Sequence, residues 1–246
     1  MDERVEQPEL DALWDFDDPV GSASRFEQAA AVGDRSEIVR AELETQRARA
    51  LGLQRRFAEA DALLDLLEPA IGLLGVRILL ERGRLRNTEG RREEAVVLLE
   101  EALSAARREG DRFLVVDAAH MLALADGEHA ERWTAEGFAE LRETADERTL
   151  RWAVVLHTNL GWRMFEEGRA EAALQEFELA LEAALDHGTD EQRFAAEWSI
   201  ARCLRELGRT EAALAIQRRL ADERPDDEEV LAELTALTDA APTIES

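Results

Sequence analysis

Asp117 and His120 lie three residues apart in VVDAAHML, a spacing that puts a carboxylate and an imidazole on one face of a helix, where they would serve as metal ligands. Di-metal chemistry in a helical protein needs a second such pair on another helix and further inward carboxylates. The sequence shows neither, and the other histidines, His129, His157 and His187, are scattered along it. It has no HExxH, no CxxC and no glycine-rich phosphate loop. The single cysteine, Cys203, excludes an internal disulfide framework, and its neighbour Leu204 on a buried face marks it as a packed, inert thiol. The expectation is a non-enzyme with no catalytic residue, metal ligand or cofactor, in which His120 is a packing residue.

The elements that position every side chain are helices. In NLGWRMFEEGRAEAALQEFELA, residues 159–180, Leu160, Gly161 and Met164 share one face of a first helix and Gly168 marks a turn. Ala173, Phe177 and Ala180 then recur at helical steps on a second helix. Gly161 and Ala173 let the two helices approach closely while Phe177 fills the space beside them. Related turns occur at Arg55, Gly90, Gly127, Gly168 and Gly208, spaced by 35, 37, 41 and 40 residues. Seven residues before each stand Ala48, Gly83, His120, Gly161 and Ala201, four of them small. The second helices carry Ala60, Ala95, Ala102, Ala173, Ala180 and Ala213 as their packing positions. Gly33-Asp34, Gly110-Asp111 and Gly188-Thr189-Asp190 form an independent ladder of helix ends and starts.

Leu160-Gly161 and Ala173-x3-Phe177 resemble the tetratricopeptide repeat, with Met164 in place of its Tyr. Steps above 34 residues are similar to the longer variant found in kinesin light chains and some bacterial regulators. The resemblance implies an all-α, right-handed superhelical solenoid of antiparallel helix pairs. About five repeats are expected, with an N-terminal half-repeat and a C-terminal capping helix, in one domain over 1–246. Residues 1–18 would be an acidic strap carrying Trp14 and Phe16, and 19–33 the half-repeat. The repeats would cover 34–71, 72–110, 111–147, 148–189 and 190–224, the cap 225–240 and a loose tail 241–246. Asp34 with Glu37, and Asp226 with Glu229, have capping-box spacing.

Charge narrows the partners. Acidic residues number 55 against 30 basic, a net charge of -25, and every basic residue is Arg. Such a surface repels nucleic acid and anionic lipid. No apolar leader opens the sequence and the longest apolar run, 70–80, is broken by Arg77, so a cytoplasmic protein without membrane contact is expected.

The resemblance also implies a concave wall made by the first helices, on which family members hold peptides. Counting back from each turn, that wall would carry Glu42, Thr45 and Arg49; Arg77, Leu80, Arg84 and Asn87; and Leu114, Asp117, Met121 and Leu124. Further on it would carry Val155, Thr158, Trp162 and Phe165, then Ala195, Trp198, Arg202 and Arg205. Arg at both ends suits carboxylates, and Met121, Leu124, Trp162, Phe165 and Trp198 suit a bulky apolar anchor. The leading expectation is an adaptor capturing an acidic peptide segment of another protein. Arg49, Arg84 and Asn87 imitate the family's carboxylate clamp, although its Lys is absent. An equal expectation for the same Trp and Arg residues is that they pack only between repeats. Two alternatives to the adaptor stand: a homo-oligomeric scaffold with Trp133 and Trp152 as contacts, and a ligand-responsive sensor acting through a separate partner.

Overall fold

The computed structural model describes residues 4–239, and every regular element among them is helical. A short α1 (Gln7–Leu13) leads to α2 (Pro19–Ala30), followed by the pairs α3 (Glu37–Leu53) with α4 (Phe57–Asp65) and α5 (Gly72–Thr88) with α6 (Arg92–Glu109). Next come α7 (Arg112–Ala125) with α8 (Ala130–Leu141), then a single turn α9 (Glu147–Leu150) ahead of α10 (Trp152–Glu166) with α11 (Ala170–His187). The last pair is α12 (Asp190–Glu206) with α13 (Thr210–Glu223), closed by α14 (Glu228–Asp239). The far end of the expected cap and the tail at 241–246 lie outside the described residues.

One local device turns most of the pairs. Gly90, Gly168 and Gly208 take φ of 82°, 75° and 71°, the left-handed conformation that glycine adopts without a Cβ penalty. The next amide in each case donates to the carbonyl five residues back: Arg91 to Arg86 at 2.9 Å, Arg169 to Met164 at 2.8 Å, Arg209 to Leu204 at 2.9 Å. The first turn makes the same bond, Arg56 to Leu51 at 3.0 Å, but there Arg55 itself takes φ 60°. The turn after α7 is built differently, with a 3-10 turn at Gly127–His129. The Asp126 carboxylate holds it, accepting from Trp133 Nε1 at 3.0 Å and meeting His129 Nδ1 at 3.1 Å.

Helices α3, α7, α12 and α14 start at side chains that reach the third amide. Asp111 accepts from Leu114 N at 3.0 Å, and Thr189 with Gln192 forms a reciprocal capping box. Two starts differ from the sequence expectation. Ser36 rather than Asp34 caps α3, accepting from Val39 N at 3.3 Å, and Asp227 rather than Asp226 accepts from Val230 N at 3.0 Å. In each case the helix begins later than the expected spacing implies, at Glu37 and at Glu228, so the residue immediately before it is the one placed to cap it.

The packing divides the chain into two compact units, with the boundary between Thr144 and Ala145. In the first unit, Leu43 and Phe26 pack with Val5 and Leu10, Leu64 packs with Ile78 and Leu85, and Leu99 packs with Leu80, Leu122 and Trp133. In the second, Phe177, Ile200, Leu204 and Leu237 share one cluster, and Phe194, Leu220 and Val230 another, so α14 covers the apolar side of the last pair. The alanines at 48, 60, 95, 102, 173, 180, 201 and 213 are fully buried. A Cβ added to Gly83 would meet Leu99 Cδ2 at 2.5 Å. Side chains this small are what lets neighbouring helices touch. Cys203 is buried here as well, donating to the Ala170 carbonyl at 3.1 Å, and burial pushes its thiol up.

Candidate functional site

The first unit brings the wall residues of α3, α5 and α7 into one charged network. Glu42 on α3 pairs with Arg77 on α5 at 2.5 Å, and Arg84 on α5 pairs with Asp117 on α7 and with Glu81 at 3.3 Å. All five are buried, so each link ties one first helix to itself or to its neighbour. Ions removed from water survive only when paired this way. Burial raises the Glu81 carboxyl despite Arg84 and Arg49 beside it. Burial lowers Arg49, and the like charge of Arg84 adds to that. For Arg84 burial acts downward but is outweighed by Asp117 and Glu81, so its pKa is raised.

Around this network the remaining wall candidates take different positions. Leu80, Leu114 and Met121 are buried in the apolar cluster under α7, Asn87 is half-buried and Leu124 is exposed. His120, in the small-residue slot, is half-buried, and its pKa falls to about 4, chiefly through desolvation, with Asp117 opposing and Arg84 and Arg49 reinforcing.

The second unit assembles an aromatic group on α10 and α12. Trp162 stands 5.4 Å from Phe165 edge-on, 4.9 Å from Phe177 and 5.9 Å from Trp198, centroid to centroid. Trp162, Phe165 and Trp198 are half-buried, while Phe177 beneath them is fully enclosed. The Arg202 guanidinium lies 5.0 Å over the Phe165 ring. Both Arg202 and Arg205 also reach Glu233 of α14, at 3.2 Å and 2.7 Å. The hydrogen bond from Arg205 to Glu233 raises the Arg205 pKa, against some desolvation.

No protein-family model matches the sequence, and no curated protein matches it. Solved structures do match by shape. BtubC (BKLC) from P. vanneervenii superimposes with a TM-score of 0.60 at 17% identity, covering 95% of this chain and 96% of that one. The apo form of RapI superimposes with a TM-score of 0.62 at 14% identity, covering 94% of this chain and 70% of that one. The chain has a tetratricopeptide-like helical-repeat fold.

On this tetratricopeptide-like frame several participants escaped sequence reasoning. Glu81 pairs with Arg84, Glu233 on the cap with Arg202 and Arg205, and Gln46 accepts from Trp14 Nε1, yet each reads in sequence as one more solvated acid or amide. The partners of Trp14 and Phe16 were equally hidden, since nothing in the spacing links residue 14 to residue 46. Trp133, expected as an outer-face contact, is 3% exposed and belongs to the core, where its ring packs in the cluster of Leu99, Leu103 and Leu122 while Nε1 donates to Asp126. Among the described residues no group of three or more His, Cys, Asp or Glu is placed to hold a metal, and no helix is long and apolar enough to cross a membrane.

Proposed function

We propose that this chain is a non-catalytic, cytoplasmic protein-interaction scaffold that captures a segment of a partner protein on its first-helix faces. The observation that carries the reading is the half-buried aromatic group of the second unit, Trp162, Phe165 and Trp198, with Arg202 over one ring. Partly exposed aromatic rings beside a guanidinium are the ordinary composition of an interaction hot spot, because they offer large apolar area at low entropic cost. The repeat fold supports the reading, since stacked helix pairs present extended binding surfaces. A net charge of -25 favours a protein partner over nucleic acid or an anionic membrane. The ligand would carry a bulky apolar anchor for the rings and a carboxylate that competes with Glu206 and Glu233 for Arg202. A random-peptide display selection tests this, run beside a Trp162→Ala/Phe165→Ala/Trp198→Ala variant. Enrichment of an acidic, apolar-anchored motif on the parent alone is the expected result; the same motif on both proteins overturns the anchor.

Self-association is a second reading, favoured by the exposure of Leu66 and Ile71, 81% and 91%, where α4 passes into α5. It predicts a mass in light scattering that rises with concentration and returns to the monomer value in a Leu66→Ser/Ile71→Ser variant.

A further inference from the structure

The segment 4–18 lies on the wall of its own first unit. Arg4 reaches Asp111 at the start of α7 at 3.1 Å, and the Val5 amide donates to Glu42 Oε2 on α3 at 3.3 Å. Farther along, Trp14 Nε1 donates to Gln46 Oε1 at 3.2 Å. Trp14 and Phe16 stack with centroids 4.7 Å apart and planes 3° from parallel. The Arg49 guanidinium lies 5.4 Å from the first ring and 5.5 Å from the second. Glu42, Gln46 and Arg49 are four and three residues apart, one stripe of α3, so the segment follows a continuous helix face.

Its attachment joins a few apolar anchors to directional polar bonds, the combination by which a bound peptide segment is held. Helix α1 has seven residues and ends at Trp14 in extended conformation, φ -85° and ψ 134°, whereas α2 beside it runs for twelve. Val5 and Leu10 are its buried apolar residues, and Phe16 remains 58% exposed. Leu13 and Trp14 pack against the same apolar cluster, Trp14 edge-on to Phe26 at 5.1 Å, and directional polar bonds add to that packing. Arg35 pairs with Glu9, Arg25 Nε donates to the Leu13 carbonyl at 2.9 Å, and Arg25 lies 3.8 Å from Asp18. A chain of charge -25 repels an acidic segment in general, so holding one requires dedicated guanidinium sites. Arg25 and Arg35 are those sites, and Arg49 covers the two rings. A half-exposed aromatic pair under a guanidinium, flanked by acids, is the same recognition chemistry as that assigned to the second unit.

We propose that residues 4–18 are an internal ligand of the first unit, and that the face they cover takes an acidic partner segment with paired aromatic rings when they leave. A tether this short sets an effective concentration on the order of mM for the internal segment. The covered face therefore admits a partner only when that partner competes at this level. The proposal extends the interaction reading to the first unit, but it fails or stands by itself.

The test removes residues 1–18 and returns them as a fluorescein-labelled synthetic peptide, followed by anisotropy. Saturable binding to the shortened chain is expected, at least ten-fold tighter than to the full chain. Replacing Trp14 and Phe16 by Ala in the peptide, or Arg49 by Ala in the shortened chain, should weaken it ten-fold or more. A shortened chain with the parent's helical circular dichroism and no saturable binding overturns the proposal, as does equal binding of the double-Ala peptide. If the shortened chain does not fold, the full chain carrying Trp14→Ala and Phe16→Ala replaces it. That variant must take up the parent peptide ten-fold more tightly than the parent chain does, and failure overturns the proposal. The Trp162→Ala/Phe165→Ala/Trp198→Ala change, made in the same protein, should leave this binding unaltered, which separates it from the anchor of the second unit.

Discussion

A Cβ on Gly161 would stand 2.6 Å from Cε1 and 2.7 Å from Cδ1 of Phe177, so α10 and α11 meet where one helix has no side chain and the other has a ring. Phe177 is fully buried and also lies under Trp162, which leaves the ring no direction in which to retreat. Gly161→Ala would gain about 1 kcal/mol of helix propensity but force an overpacking cost of about 1–3 kcal/mol. Net destabilisation is the expected outcome in urea unfolding. Combining it with Phe177→Leu, which makes room, should cost less than the two single changes added together. Strict additivity would show that the contact does not couple them.

Arg55 performs at φ 60° what glycine performs at 90, 168 and 208. A side chain in the left-handed region costs roughly 1–2 kcal/mol, so Arg55→Gly should stabilise the chain by about 1 kcal/mol after the larger entropy of unfolded glycine is subtracted. The Arg55 Cζ lies 5.8 Å from the Phe57 ring, and removing that weak cation–π attraction should reduce the gain only slightly. A lower midpoint in thermal melting would refute the strain argument.

Gln217 stands four residues after Ala213, as Phe177 stands four after Ala173, and it is 0% exposed. Neither Nε2 nor Oε1 has a hydrogen-bond partner. Burying an unsatisfied amide costs about 1–3 kcal/mol. Gln217→Met fills nearly the same volume without that cost and should raise stability by about 1–2 kcal/mol. An unchanged or lowered unfolding midpoint would mean that the amide is satisfied in solution.

His120 links stability to pH. Its folded pKa of about 4 lies below the ordinary 6.5, so the unfolded chain takes up the proton first. The contribution is complete above pH 6.5 and is lost as the pH falls through the window down to about 4. It amounts to at most about 3 kcal/mol, since each pKa unit is worth about 1.4 kcal/mol. Carboxylates titrate over the same range, so the comparison is with His120→Ala. The parent should lose more stability than the variant between those limits, and parallel profiles would refute the assignment.

The helix pairs were legible because short-range rules decide them. Gly168 before Arg169, Ala173 four residues ahead of Phe177, and Gly161 seven before the turn are local signals. Each states a backbone conformation or a closeness of packing that few other residues satisfy. The pairing of Arg84 with Asp117 and of Arg205 with Glu233 was not legible. A charged residue in a chain with 55 acids has many possible partners, and the sequence ranks none of them. The expected wall also needed a rotation that no spacing specifies. Leu80, Leu114 and Met121 turn into the core while Leu124 faces water.

The residues alone therefore determine the helical repeat, its turns and its small packing positions, since all of these rest on local periodicity and conformation. Tertiary structure decides the rest. It gathers Trp162, Phe165 and Trp198 over Phe177, commits Arg84 to Asp117, encloses Trp133, and lays Trp14 and Phe16 under Arg49. Those outcomes depend on which distant side chains the stacked helices bring within a few ångströms and which they strip of water. Both the desolvation and the pairing belong to the assembled chain, not to any segment of it.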